Sequence, residues 1–100
     1  MLNIKFTFSG KAALLIMLDS SASLIIEPKA TIGGLCQLCD QLDATGTLEE
    51  VEFERHTKHD EIRFHTITPA AEVVGMVSEA ISEVWETDVT VINERAPQPV

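Results

Sequence analysis

Residues 47–67 read TLEEVEFERHTKHDEIRFHTI, and this stretch carries the main evidence for the fold because it contains two strands around a short turn. Within residues 47–56 and 61–67, the apolar residues Val51, Phe53, Ile62 and Phe64 alternate with charged or polar ones, a period typical of strands. The four residues Thr57–Asp60 between them favour a type I turn, since they include no glycine for a two-residue turn. The sequence therefore predicts a β-hairpin.

The cross-strand register of this hairpin is predicted from its charges. One register sets three residues of the first strand opposite three of the second: Phe53 opposite Phe64, Glu54 opposite Arg63, and Glu52 opposite His65. A slip of two residues keeps the same faces inward but sets Glu54 opposite Glu61. Facing pairs of opposite charge are favoured over like charges by about 0.2–1 kcal/mol each. We therefore expect the first register.

A helix is predicted on each side of the hairpin. Thr31 can cap the first, whose apolar positions follow helical spacing: Leu35, Leu38, Cys39 and Leu42. Thr68 as N-cap and Pro69 at the first helical position start the second, which we expect to run to about Glu86. Its apolar face consists of Val73, Val77, Ile81, Val84 and Trp85. We expect Trp85 to lie in the core, the alternative being an interface tryptophan.

Short apolar strands at 23–27 and 89–92 flank this arrangement. The order β-α-β-β-α-β is the split βαβ, or ferredoxin-like, pattern, with two helices on one face of an antiparallel sheet. Residues 2–9 alternate as a strand, whereas Ala12–Leu18 has helical composition but the length and flanks of a buried strand, so we predict one or two additional N-terminal strands. The second sheet face is then open or covered by these strands. We expect a single α+β domain over 1–93 and a fraying tail over 94–100.

Composition limits the function classes. The chain has 100 residues, with seven Lys and Arg against sixteen Asp and Glu, and a formal net charge of −9. This balance argues against direct binding to nucleic-acid phosphates or to an anionic membrane. Two cysteines three positions apart in a helix favour free thiols over a strained disulfide, which predicts a cytoplasmic location.

The pair Cys36 and Cys39 forms a Cys-x-x-Cys motif after the first strand of the βαββαβ pattern. It resembles the motif in the heavy-metal-associated domains of copper chaperones, and that resemblance implies binding of a soft ion such as Cu(I). Gly34 stands where those domains have a methionine, and Cys39 is in phase with the apolar helix face. We therefore interpret both cysteines as core thiols that bind no metal, with a metal-handling or redox module as the alternative function.

No catalytic site is evident. His56, His59 and His65 cluster on the hairpin, but zinc needs three or four converging ligands, so we expect surface histidines. The serines lack a nucleophile-elbow context, and no glycine-rich phosphate loop is present. We predict a non-enzymatic protein without a cofactor.

The acidic residues of this sequence form a pattern. The candidate partner-binding residues lie on the last helix and on the first hairpin strand: Glu72, Glu79, Glu83 and Glu86, with Glu50, Glu52 and Glu54. One interpretation is a surface that only promotes solubility. The other, which we expect, is a module that docks a basic, nucleic-acid-binding protein, in the manner of a phage- or mobile-element-encoded inhibitor or adaptor. The open sheet face is available as a homodimer interface.

Overall fold

The computed structural model describes residues 2–93, which form one six-stranded antiparallel sheet and two helices. Along the chain the elements are β1 (Leu2–Phe8), β2 (Lys11–Met17), β3 (Ser21–Glu27), α1 (Ile32–Ala44), β4 (Glu49–Arg55), β5 (Asp60–His65), α2 (Ala70–Trp85) and β6 (Thr90–Asn93). The α+β class and the two additional N-terminal strands are confirmed. The predicted tail lies outside the described residues.

The strand order departs from the ferredoxin-like expectation. The sheet runs β4-β5-β3-β2-β1-β6. A ferredoxin-like sheet would place β6 directly beside β3, whereas here the hairpin of β1 and β2 is inserted between them. The N-terminal strands therefore extend the sheet, and no element within residues 2–93 covers its second face. Their inward residues are apolar, which lets them continue the same core.

After their first residue, both N-terminal strands alternate between half-buried and buried side chains. Ala12–Leu18 is a strand in all but its last residue, because β2 pairs with β1 on one side and β3 on the other. Two paired edges satisfy the backbone of this apolar run, and its odd-numbered residues enter the core.

The hairpin register prediction is wrong. Glu54 faces Glu61, Glu52 faces Arg63, and an irregularity lies between Glu49 and Glu52. The reason is Asp60, which is fully buried and faces Arg55. Its carboxylate accepts hydrogen bonds from Arg55 Nε at 3.0 Å and from the backbone N–H of Ala30 at 2.9 Å.

The like charges brought together by this register are relieved by neighbours. Arg63 reaches diagonally to Glu54, with 2.9 Å between Nη2 and Oε2. His56 Nε2 lies 3.1 Å from Glu61 and 3.8 Å from Glu54. The buried Asp60 interactions thus outweigh the surface charge pairing from which the register was predicted.

The helix starts differ in their capping. Thr31 accepts a hydrogen bond from the N–H of Gly34 at 3.0 Å, as expected. The second helix starts later than predicted, because Pro69 is its N-cap and supplies no side-chain bond. Thr68 does not cap it: the Thr68 N–H donates to the hydroxyl of Thr66 at 3.0 Å, forming a local turn instead.

Both helices pack on the same sheet face. The core contains Leu35, Leu38 and Leu42 of α1, with Val73, Val77, Ala80 and Ile81 of α2, against the inward residues of the sheet. Trp85 packs against this core but is only half-buried, and its ring centroid lies 5.0 Å from that of Phe8. The outer surfaces of the helices and the opposite sheet face are the two large surfaces left for partners.

Candidate functional site

The outer surface of the two helices is acidic. Neither helix contains a Lys, Arg or His residue. We define the helical acidic surface as Asp40 and Asp43 of α1 with Glu72, Glu79, Glu83 and Glu86 on and just after α2, all exposed. Among residues 2–93, none of these carboxylates takes part in an ion pair. Their mutual repulsion is therefore not offset within the described chain.

The acidic residues of α2 stand in an unfavourable position for the helix itself. Glu79 and Glu83 are like charges four residues apart, an arrangement that costs about 0.2–0.5 kcal/mol. Glu86 is the C-cap, with a left-handed φ of 49°, so its charge lies at the negative end of the helix dipole. A cation approaching this end would relieve both effects.

A shallow groove runs between α1 and α2. It consists of two adjoining depressions of about 250 and 380 Å³ that share Gln41, Ala44 and Glu83. Met76, Ala80 and Val84 provide an apolar floor, and Asp40, Glu79 and Glu83 provide carboxylates around it. Such a lining fits a ligand surface that combines methylene stems with positive charge, as lysine and arginine side chains do.

The contribution of α1 to this surface was not predicted from the sequence. Asp40 lines the groove beside Glu83. The signal was present, because no Lys or Arg occurs between Lys29 and Arg55.

The candidate residues of β4 lie elsewhere. Glu52 and Glu54 face Arg63 and Glu61, whose side chains project from the sheet face away from the helices. Glu50 belongs to the same side, with its carboxylate 3.3 Å from His65 Nε2. The structure therefore does not bring the two acidic sets together.

The two cysteines occupy different environments. Cys36 is exposed, which corrects the expectation that it is a core thiol, whereas Cys39 is half-buried against the core. Burial, followed by the charges of Cys36 and Asp40, raises the pKa of the Cys39 thiol to about 11. Because metal ligation and nucleophilic attack both need the thiolate, this environment disfavours either role for Cys39.

The histidines lie around the hairpin end and its outer face. His56 and His59 are stacked with ring centroids 4.5 Å apart, and His65 is exposed on the face opposite Ile62 and Phe64, as predicted. Burial opposes ionisation of Glu61, but its hydrogen bonds with His56 and Ser23 and the charge of Arg63 outweigh that effect and hold its pKa below the ordinary value. Within residues 2–93, no group of three or more His, Cys, Asp or Glu side chains is placed to hold a metal ion.

Comparisons with models of protein families, with characterised proteins and with solved structures find no match for this chain. In the part of the chain that the structure describes, neither helix combines the length and apolar character that a membrane crossing requires.

Proposed function

We propose that this chain is a non-enzymatic protein-binding module that docks the basic surface of another protein through the helical acidic surface. The observation that carries the proposal is the contrast between its two acidic sets. On the sheet, Glu50, Glu54 and Glu61 each lie within ion-pair distance of Arg63 or a histidine. On the helices, six exposed carboxylates have no ion-pair partner within the described residues.

Local costs on α2 support the same proposal. A surface that served solubility alone could alternate its charges and avoid the repulsion between Glu79 and Glu83 and the opposed dipole at Glu86. Violations of local stability rules are commonly found at functional sites. The groove beside these residues supplies apolar contact area next to the charges, which a charged solubilising surface does not require.

The kind of partner follows from complementarity. Lysine and arginine side chains would bring cations to Asp40, Glu79 and Glu83 while their stems cover Met76 and Ala80. Proteins that bind nucleic acid present such basic surfaces. A small acidic chain that covers one would act as an inhibitor or an adaptor of a nucleic-acid-binding protein.

The test compares two triple variants with identical charge changes on opposite faces. Glu79→Lys, Glu83→Lys and Glu86→Lys alter the helical acidic surface, and Glu50→Lys, Glu52→Lys and Glu54→Lys alter β4. Partners captured by the wild-type chain are identified by mass spectrometry, and the affinity of each purified partner is then measured for all three proteins at several salt concentrations.

We expect the α2 variant to fold, because its lysines suit the negative end of the helix dipole and lie near Asp40 of α1. We expect it to lose binding together with most of its salt dependence. The β4 variant should retain binding. Equal affinity for the wild type and the α2 variant would show that the helical acidic surface is merely solvated. Loss of binding by the β4 variant alone would place the docking site on the sheet.

A further inference from the structure

The sheet face away from the helices has an ordered charge pattern. One row of cross-strand partners crosses all six strands in the order of the sheet: Glu54, Glu61, Ile25, Leu14, Lys5 and Ile92. Facing residues of antiparallel strands project to the same side, so all six belong to this open face. The row therefore reads acidic, acidic, apolar, apolar, basic, apolar, with the apolar pair Ile25 and Leu14 on the two middle strands of the sheet.

We propose that the open face binds a second copy of this chain, forming a dimer with two-fold symmetry. When two sheets pack face to face, the two-fold axis lies between them and parallel to their planes. An axis that also runs parallel to the strands, between β3 and β2, superimposes this six-residue row on its own reverse. Glu61 of each copy then lies over Lys5 of the other, and Ile25 of each lies over Leu14 of the other. Glu54, at the edge, lies over Ile92 of the other copy and keeps its ion pair with Arg63.

The alternative axis, perpendicular to the strands, places like charges of the two copies opposite each other. It would place β4 over β4 and β5 over β5, which brings Glu54 and Glu61 of the two copies together. Like charges at an interface are strongly unfavourable. The charge pattern thus selects the axis parallel to the strands, and the apolar pair then lies at the interface centre.

The charges of the open face are also suited to partial burial. Glu54 is 2.9 Å from Arg63, Glu61 is 3.1 Å from His56, and Glu50 is 3.3 Å from His65. A charge that already has a partner is less costly to desolvate than an isolated one. Among the described residues, the helical acidic surface has no such partners, so it is the less suitable face for a copy of the same chain.

The available area agrees with a reversible dimer. Five of the six strands are six or seven residues long and β6 has four, so with strands about 4.8 Å apart the face covers about 600 Å² per copy. The pair would bury about 1,200 Å² in total, above the ~1,000 Å² expected of a specific interface. We therefore expect a dissociation constant in the micromolar range.

The experiment is a charge exchange measured by sedimentation equilibrium. The protein concentration series reaches about 1 mM, well above the micromolar dissociation constant expected from the interface size. Lys5→Glu and Glu61→Lys should each weaken the dimer about tenfold, since each change affects two symmetric contacts. The double variant Lys5→Glu, Glu61→Lys restores opposite charges across the axis and should regain most of the affinity. Ile25→Glu, which puts charge at the apolar centre, should abolish dimerisation.

Two matched variants control for net charge: Lys58→Glu in the β4–β5 turn and Asp88→Lys in the loop after α2, both outside the strands of the open face. Circular dichroism confirms that each variant is folded, and a variant that is not folded is replaced by the glutamine substitution at the same residue. A wild-type chain that stays monomeric at all concentrations overturns the proposal. So does a dimer that responds to Lys5→Glu and Glu61→Lys no more than to the controls, or that the double variant fails to restore.

Discussion

Removal of the Asp60 charge should destabilise the fold strongly. The two carboxylate oxygens of Asp60 accept from different donors, Arg55 Nε and the backbone N–H of Ala30, and the residue is fully buried. The same arginine donates from Nη2 to the carbonyl of Ala30 at 2.8 Å, which closes the network. In Asp60→Asn, the amide nitrogen would face one of these two donors, so one contact becomes repulsive.

The expected loss of free energy of unfolding can be estimated from the individual hydrogen bonds of this network. A hydrogen bond to a charged group contributes about 1.5–3 kcal/mol, and a buried N–H without a partner costs about 1–3 kcal/mol. The Arg55 side chain is 35% exposed, so water can solvate part of its charge, and the effect stays below the full cost of an isolated buried ion. We expect Asp60→Asn to lower the free energy of unfolding by about 3 kcal/mol.

Urea unfolding followed by circular dichroism and by the emission of the single tryptophan measures this loss. With a typical denaturant slope, the midpoint should fall by about 2 M. Asp88→Asn, an exposed carboxylate on the loop after α2, serves as the control and should change stability by less than about 0.5 kcal/mol. If Asp60→Asn is as stable as that control, the network does not determine the hairpin register and the argument fails.

Two further predictions concern Cys39 and Trp85. Because its pKa is about 11, Cys39 should be alkylated by iodoacetamide more slowly than the exposed Cys36, with a rate rising about tenfold per pH unit between pH 7 and 9. Mass spectrometry of Cys36→Ser and Cys39→Ser separates the two, and rapid reaction of Cys39 at pH 7 would refute the burial argument. Trp85→Ala should cost about 2 kcal/mol, less than a fully buried tryptophan, because part of its side chain is already exposed to water while the rest packs against Phe8 and the core. Urea unfolding by circular dichroism checks this value, and an unchanged midpoint would support the interface alternative.

Local periodicity predicted the elements of this fold well. The alternation in residues 2–9 and the helical spacing of Leu35, Leu38 and Leu42 each reflect burial on one side, and burial is what the structure has there. Thr31 was predicted as a cap because its hydroxyl acts within three residues. These features depend on residues that are close together in the sequence, so they can be predicted from a single sequence.

Features that depend on distant contacts could not be predicted in the same way. Asp60 looked like a turn residue, and only its contact with Ala30, thirty residues away, makes it the buried partner that determines the register. Likewise, nothing in the local pattern of β1 and β2 indicates that they separate β3 from β6. The acidic face of α2 was visible from spacing, whereas its groove with Asp40 required knowing how α1 packs beside it.

The position of the β1–β2 hairpin has a consequence for synthesis on the ribosome. Strand β1 is made before the other strands of this sheet, yet within residues 2–93 the edge of β1 that faces away from β2 pairs with β6, for instance Lys5 with Ile92. Until β6 has emerged, the nascent chain carries an unpaired edge strand next to an apolar core, the kind of edge that invites pairing with other chains. The sheet is therefore complete only when its first strand, β1, pairs with its last, β6. A chain stalled before residue 90 would be the form most prone to aggregation.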